Sequence, residues 1–232
     1  MMLKNKIRDL LAPYPGLFIP LYRMLAPPQH KLLLIGPETE IVIEGYPRSA
    51  NTFAVVAFEQ AQGARQVKIA HHLHAEAQVL EAVRRGLPAI VLIRRPYEAI
   101  RSLKVAFPAW DENYFLRRYV DFNRAIARVR DRVVVAEFER TTKDFGGIIG
   151  EVNAKFGTDF ALFPDGEEAA QAVFARIDEI NAAREGAHDL IARPAAHKEK
   201  AKGTVSLDFD PAMLARAEQL YTELTGLPAR KH

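Results

Sequence analysis

The residues with the clearest chemical potential form the sequence GYPRSANT, at positions 45–52. They follow a run of β-forming residues and precede a run that favours a helix. Backbone N–H groups at a helix N-terminus, the hydroxyls of Ser49 and Thr52, and the cation of Arg48 all bind phosphate oxygens well. This layout therefore predicts a loop that holds a phosphate group.

The loop lacks the lysine that nucleoside triphosphatases use. Their pattern is G-x-x-x-x-G-K-[ST], in which the lysine neutralises the β- and γ-phosphates. Only Gly45 and Thr52 match it, because Ala50 and Asn51 replace the second glycine and the lysine. The substitution argues against ATP hydrolysis and favours a single terminal phosphate. Taken alone, the loop could also be an ordinary strand-to-helix turn capped by Ser49.

A second segment with phosphate-binding potential is LIRRPYEAIRSL, residues 92–103. Arg94 ends a predicted strand, Pro96 occupies a first helical position where its missing N–H is harmless, and Ser102 lies eight residues after Arg94. A guanidinium at a strand end and a hydroxyl on the adjoining helix can hold a second phosphate. The alternative is a helix N-terminus with surface arginines.

Three histidines follow another predicted strand, in the sequence AHHLHAEA. A neutral histidine can accept a proton near neutral pH, so His71, His72 and His74 are candidates for a general base. A metal site is the rival interpretation. No fourth ligand is evident, and adjacent residues of an extended segment point to opposite faces, so we expect no metal. The histidines could also be surface or capping residues.

Strand and helix patterns alternate along most of the chain. Predicted strands cover residues 40–44, 65–70, 88–93 and 131–139. Predicted helices cover residues 52–62, 74–86, 96–107, 111–130, 141–157, 167–185 and 211–225. This alternation predicts an α/β fold with three layers, in which helices flank a central parallel sheet and ligands bind at the carboxyl ends of the strands. We expect residues 1–38 to be a proline-punctuated lead-in with two short helices, and residues 39–232 to form a single domain.

Composition narrows the function classes. The chain has 232 residues, a net charge of +3 and no cysteine, so disulfides, zinc thiolates and cysteine nucleophiles are excluded. The small positive excess is a poor argument for nucleic-acid binding, which we do not expect. No apolar run approaches the roughly 20 residues of a membrane span, and the first residues lack a signal-peptide pattern. We expect a cytoplasmic protein whose N-terminal residues can touch a membrane surface or a partner.

Together, the two phosphate-binding segments resemble those of sulfotransferases that use 3′-phosphoadenosine 5′-phosphosulfate (PAPS). The first family segment typically reads T-Y-P-K-S-G-T-T-W, and the second reads R-x-P-x-x-x-x-x-S. The matching residues are Tyr46, Pro47, Ser49, Thr52, Arg94, Pro96 and Ser102. Arg48 stands at the family's lysine, Ala50 at its glycine, Asn51 at its first threonine and Phe53 at its tryptophan. The resemblance spans about residues 40–140.

The resemblance implies a P-loop NTPase-like fold and a donor site without metal. Residues 46–53 would hold the 5′-phosphosulfate, with Arg48 at the bridging oxygen and the sulfuryl group and Phe53 as an aromatic face for adenine. Arg94 and Ser102 would hold the 3′-phosphate. A late basic segment closes over this phosphate in relatives, and Lys202 is its loose counterpart here.

The resemblance also bears on the base and the acceptor. His72-Leu73 matches the start of the family's H-L-P motif, which makes His72 the first candidate for the base and His71 the second. Glu76 is a further candidate, since carbohydrate-modifying relatives use a glutamate. The acceptor would be a hydroxyl, less often an amine, on a small molecule, carbohydrate or lipid. Alternatives are a metabolite kinase or nucleotide-binding enzyme of the same fold, and a non-catalytic module that binds the bisphosphate nucleotide.

Overall fold

The computed structural model describes residues 2–182 and 205–229. At its centre are four parallel strands in the spatial order β2-β1-β3-β4. The strands are β1 (Ile41–Gly45), β2 (Ile69–His71), β3 (Ala89–Ile93) and β4 (Val134–Glu137). Every residue of β1 and β3 is buried, because helices cover both faces of these central strands. This explains why their sequences are apolar without alternation.

Helices occupy both faces of the sheet. They are α1 (Met2–Leu11), α2 (Pro15–Leu25), α3 (Pro28–Lys31), α4 (Asn51–Gln62), α5 (Glu76–Arg85), α6 (Pro96–Ala106), α7 (Glu112–Ala127), α8 (Phe138–Lys143), α9 (Phe145–Phe156), α10 (Glu167–Ala182) and α11 (Pro211–Thr225). One core joins the sheet to α5, α6, α7 and α11, and the other joins it to α4, α9 and α10. The predicted three-layer α/β fold is confirmed.

The register of the sheet determines where the loops meet. Gly45 pairs with Leu92, and Ile93 pairs with Glu137, so β1, β3 and β4 end at nearly the same level. On the other side of β1, His71 pairs with Ile43. The segments that follow β1, β2 and β3 therefore emerge at one edge of the sheet. This is the edge at which parallel sheets bind ligands.

Two predicted strands are shorter in the structure. The strand predicted over residues 65–70 forms only as β2. Ile69 pairs with Ile41, the first residue of β1, so residues 65–68 lie before the point at which β1 begins. The strand predicted over residues 131–139 ends at Glu137. The Glu137 carboxylate accepts hydrogen bonds from the backbone N–H groups of Glu139 and Arg140, and this N-cap turns the chain directly into α8.

The helix predicted over residues 141–157 is divided into α8 and α9. The division lies at Asp144, whose side chain accepts a hydrogen bond from the Gly147 N–H and caps α9. The end of α9 agrees with the prediction, because Gly157 adopts the left-handed conformation that favours glycine, at φ 67°.

The N-terminal residues form three helices instead of two and pack onto the β2–α5 connection. Phe18 and Leu34 share a small apolar core with Leu73, Ala75 and Ala77. Backbone hydrogen bonds reinforce this packing, since the Leu33 carbonyl accepts from the N–H of His71 at 3.1 Å. None of the described helices has the length and apolar character needed to cross a membrane.

Two glycines of α9 provide a matched test of how the segment around Phe163 packs on this helix. A Cβ added to Gly146 would overlap the Phe163 carbonyl oxygen, whereas the nearest atom to a Cβ on Gly150 is Leu162 Cδ2 at 3.9 Å. We expect Gly146→Ala to lower the free energy of unfolding by about 1–3 kcal/mol, because the segment crossing α9 must shift. Gly150→Ala should be neutral or stabilising by up to about 1 kcal/mol, because alanine favours a helix. Urea unfolding measures both, and equal losses would contradict the described packing.

Candidate active site

The loop between β1 and α4 is a strained turn at the carboxyl edge of the sheet. Arg48 and Ala50 have φ angles of 69° and 68°, a left-handed conformation that residues other than glycine seldom adopt. His72 and His74, after β2, are the other non-glycine residues in this conformation among those described. Such strain clusters at functional sites, where surrounding structure maintains it. Alternating left-handed residues also form the backbone nests that bind anions.

Asn51 stands where a triphosphatase has its lysine, and its side chain is directed into the loop. Its Nδ2 donates to the Tyr46 carbonyl at 3.0 Å, which closes the turn. The Tyr46 hydroxyl in turn donates to the Phe115 carbonyl at 2.8 Å and joins the loop to α7. Gly45 permits this closure, because a Cβ there would overlap the Leu92 carbonyl oxygen of β3. Asn51 therefore shapes the loop, with Pro47 half-buried at its start.

The structure brings the two predicted phosphate-binding segments into contact. Arg48 Nε donates to the Ser102 hydroxyl at 2.9 Å, across 54 residues of sequence. Arg94 donates from a terminal nitrogen to the Arg48 carbonyl at 3.2 Å, and its guanidinium lies 4.0 Å from the centre of the Phe138 ring. Ser102 is buried on α6. Arg48, Arg94 and Ser102 thus lie together beside the loop.

The electrostatics of this cluster favour an anion. Burial, and then the positive charge of Arg94, lower the pKa of Arg48 from its ordinary value. Within the described part of the chain, no carboxylate forms a salt bridge with Arg48. A bound phosphate or sulfate would neutralise both guanidiniums and relieve their repulsion.

The loop hydroxyls are in different environments. Ser49 is buried, and its hydroxyl has no hydrogen-bond partner among the described residues. Leaving a buried hydroxyl unsatisfied costs about 1–3 kcal/mol, which a ligand oxygen could offset. The Thr52 hydroxyl, at the start of α4, lies 3.0 Å from His72 Nε2. Thr52 thus connects the loop to the histidine segment.

His72 is placed between the loop and His71. Its Nδ1 lies 2.5 Å from the Nδ1 of His71, so one ring donates a proton to the other. Burial, followed by the charge of Lys68, lowers the pKa of His71 to about 4. His71 is therefore neutral at physiological pH, and the two rings share one proton at this contact.

His74 is half-buried beneath the loop and contacts the fully buried Glu44. Its Nδ1 donates to the Gly45 carbonyl at 2.8 Å and lies 3.7 Å from Glu44 Oε1. The Glu44 carboxylate also accepts from the Leu73 N–H at 3.0 Å and from Gln78 Nε2 at 3.1 Å. Sequence reasoning missed Glu44, although an acidic residue in an otherwise apolar strand was a usable signal.

The protonation of His74 and Glu44 follows from their withdrawal from water. Burial raises the pKa of Glu44 to about 7, against the lowering effect of its hydrogen bonds, first that of Gln78. Burial lowers the pKa of His74 to about 4, against the raising effect of the Gly45 carbonyl. Both groups resist charge, so His74 serves to support the end of β1 in its neutral form.

Three predicted site residues need correction or lie elsewhere. Phe53 is 3% exposed and packs against Phe163 and Phe174 in the core, which corrects the expectation that it offers a face to adenine. Glu76 is fully buried and ion-paired to Arg118 of α7 at 3.2 Å, so its carboxylate is committed to a helix interface instead of acting as a base. Lys202 lies outside the described residues.

The metal interpretation of the histidines finds no support in their arrangement. Within residues 2–182 and 205–229, no three His, Cys, Asp or Glu side chains are grouped so that they could hold a metal ion. The short contact between His71 and His72 joins two ring nitrogens directly to each other. His71 and His72 are hydrogen-bonded to each other beside the loop, while His74 separately donates to the Gly45 carbonyl.

Comparisons with known proteins give a similarity in structure. No family model matches the sequence, and no curated protein matches it. Among solved structures, the chain is similar to mouse sulfotransferase SULT7A1 complexed with PAP. The chain resembles a sulfotransferase in structure. The identity is 17%, the match covers 83% of this chain and 88% of that chain, and the TM-score is 0.47. This similarity assigns no role to individual residues.

The lowered pKa of His74 generates a pH prediction. The unfolded chain binds its proton below about pH 6.5, but the folded protein does so only below about pH 4. Stability from His74 is therefore complete above pH 6.5 and is lost as the pH falls toward 4. The difference in unfolding free energy between wild type and His74→Asn should grow as the pH rises through this window. Urea unfolding at several pH values measures it.

His30→Asn, at an exposed histidine outside the site, is the control substitution. Glu44 contributes in the opposite direction, since its raised pKa means that its stabilisation is lost as the pH rises through about 7. The pH dependence of the wild-type unfolding free energy is therefore the sum of the two contributions. The comparison with His74→Asn isolates the contribution of the histidine. Parallel curves for wild type and His74→Asn would show that the fold does not lower the pKa of His74.

Proposed function

We propose that the protein is a sulfotransferase that moves a sulfuryl group from PAPS to an acceptor hydroxyl. The observation that carries the proposal is the contact of Arg48 with Ser102 and Arg94 at the strained loop. Two cations and several hydroxyls meet at one strand edge, while the lysine position of a triphosphatase is occupied by the inward-directed Asn51. A donor with two separate phosphates and no β- or γ-phosphate suits this set of groups.

Each phosphate of the donor has its own candidate partners. The 5′-phosphate would take the backbone N–H groups of the loop and the hydroxyls of Ser49 and Thr52, at the N-terminus of α4. The 3′-phosphate would take Arg94 and Ser102. Because Arg48 is hydrogen-bonded to Ser102, occupation of the 3′ site and the orientation of Arg48 would be coupled.

Arg48 would act on the bond that breaks. The acceptor oxygen attacks sulfur opposite the bridging oxygen, the bond from sulfur to that oxygen breaks, and its electron pair leaves with adenosine 3′,5′-bisphosphate. Negative charge therefore grows on the bridging oxygen during transfer. A fixed guanidinium there stabilises the transition state more than the bound donor.

His72 is the proposed base, with His71 second. When His72 Nδ1 holds the proton shared with His71, Nε2 carries the lone pair and faces the Thr52 hydroxyl. If Thr52 donates its hydroxyl proton to the 5′-phosphate, this lone pair becomes available for the proton of the acceptor. His71 would then fix the tautomer of His72.

Donor binding can be tested with adenosine 3′,5′-bisphosphate and adenosine 5′-phosphate, which differ only in the 3′-phosphate. We expect a preference for the bisphosphate of on the order of tenfold or more, because charge-assisted hydrogen bonds hold that phosphate. Arg94→Gln should remove most of the preference. Calorimetry without metal measures all four affinities.

Arg95→Gln is the matched control. Arg95 is the sequence neighbour, but it donates to the Pro228 carbonyl at 3.1 Å and lies over the Tyr221 ring, so the preference should survive. Tighter, metal-dependent binding of ATP would instead favour the metabolite kinase. Equal effects of the two arginine variants on this preference would show that Arg94 does not bind the 3′-phosphate.

Turnover tests the chemical roles with PAPS and a panel of hydroxyl and amine acceptors. We expect Arg48→Ala to lower kcat by about 10²–10³-fold, and Arg48→Lys to retain more activity because the charge is kept. His72→Ala should lower kcat by about 10²–10⁴-fold, while its affinity for the bisphosphate changes little.

His30→Ala, a change at an exposed histidine outside the loop, should keep the wild-type rate. Unchanged rates in Arg48→Ala and His72→Ala would overturn the proposed mechanism. Tight bisphosphate binding without transfer to any acceptor would favour the non-catalytic module.

A further inference from the structure

The helix α2 is apolar on both sides. Its inner side contributes Phe18 to the small N-terminal core. On its outer side, Leu17 is 60% exposed, and Met24 and Leu25 are each 68% exposed. With the half-buried Leu21, these residues follow the spacing i, i+4, i+7 and i+8, so they form one stripe along the helix. A surface helix in water normally presents polar residues at such positions.

Exposed apolar residues are concentrated around this helix. Among the described residues, seven of the ten exposed large apolar side chains fall between positions 7 and 32: Ile7, Leu10, Tyr14, Leu17, Met24, Leu25 and Leu32. Single exposed apolar residues are ordinary, but their concentration in one segment indicates a surface that contacts something other than water. We call this group the N-terminal apolar surface.

The N-terminal segment carries an excess of positive charge. Residues 1–32 contain five Lys and Arg residues and a single acidic residue, Asp9. Asp9 is only 13% exposed and faces inward, with Arg118 Nε at 3.4 Å and a hydrogen bond from Tyr114. Arg23 and Lys31 are exposed. The surface therefore presents apolar groups and cations, while its one carboxylate is withdrawn.

A groove between α1 and α7 continues this chemistry. It has a volume of about 980 Å³, and its lining combines apolar residues of the N-terminal apolar surface with charged residues on or next to α7. Leu10 and Tyr14 are among its apolar residues. Its charged residues are Arg117, Arg118, Arg124 and Arg128 together with Asp9, Asp111 and Asp121, so the cations exceed the carboxylates by one. Cations beside an apolar surface match the arrangement of headgroups and acyl chains in an anionic lipid layer.

We propose that the N-terminal apolar surface docks on an anionic lipid bilayer, with α2 lying in the plane of the interface. Apolar residues enter the acyl boundary, while flanking lysines and arginines meet the headgroups. A second copy of the chain is a poorer occupant, because a two-fold contact would bring the same cations against each other. The histidine segment lies directly behind this surface, since the Leu33 carbonyl accepts from the His71 N–H.

Vesicle binding of the full chain without nucleotide tests the proposal independently of sulfuryl transfer. Vesicles of phosphatidylcholine alone are compared with vesicles that also contain phosphatidylglycerol. Co-sedimentation measures partitioning, and the fluorescence of Trp110, the sole tryptophan, reports contact at the groove. We expect binding to the anionic vesicles only, weakening as salt is raised because screening reduces the attraction.

Paired variants test whether vesicle binding depends on the N-terminal apolar surface and not on exposed apolar residues in general. Leu17→Glu with Met24→Glu should lower partitioning by about tenfold or more, because two charges would enter the acyl boundary. Leu162→Glu, at an apolar residue exposed elsewhere, should bind like wild type. Lys31→Glu should lower binding by about fivefold, and Lys155→Glu, on α9, should not.

Three results would overturn the proposal. The first is an absence of binding to phosphatidylglycerol vesicles at low salt. The second is equal loss in Leu162→Glu and in the double variant. The third is a dimer in sedimentation velocity that the double variant abolishes, without vesicle binding, which would assign the surface to a second copy. Circular dichroism of each variant confirms that it is folded, and intact bisphosphate binding confirms that the loop is unaffected.

Discussion

The strained turn at Arg48 and Ala50 is the constraint on which the site depends. Neither residue is a glycine, so the left-handed backbone at both positions requires restraint from the surrounding structure. The restraint comes from several sides. Asn51 closes the turn through the Tyr46 carbonyl, and Arg94 holds the Arg48 carbonyl from the end of β3. The loop therefore has its shape only where β1, β3 and α7 are assembled.

Electrostatic repulsion is concentrated at the same place. Arg48 is partly buried and close to Arg94, and both effects lower its pKa. The cost of holding two like charges together would favour an anion at this site, because a bound phosphate would remove their repulsion. The buried, unsatisfied hydroxyl of Ser49 adds to this bias.

The histidine segment is supported from below by His74 and Glu44, and burial disfavours the charged form of both groups. His74 donates to the end of β1, and Glu44 accepts from the backbone of Leu73, so the segment is tied to the strand that carries the loop. His72 can then face Thr52 with a defined geometry. The N-terminal helices cover the outer side of this arrangement, which connects the N-terminal apolar surface to the site through the His71 backbone.

The sequence by itself determined the α/β alternation, the loop after the first strand, and the presence of Arg94 and Ser102 on one strand-to-helix segment, because strand runs, caps and helical spacing are local properties of the chain. The tertiary structure decided which of those side chains face the site. Phe53 is buried by Phe163 and Phe174, and Glu76 is paired with Arg118. These partners lie 42 or more residues away in sequence, so their effect depends on how the helices pack on the sheet. Local patterns cannot reveal that packing.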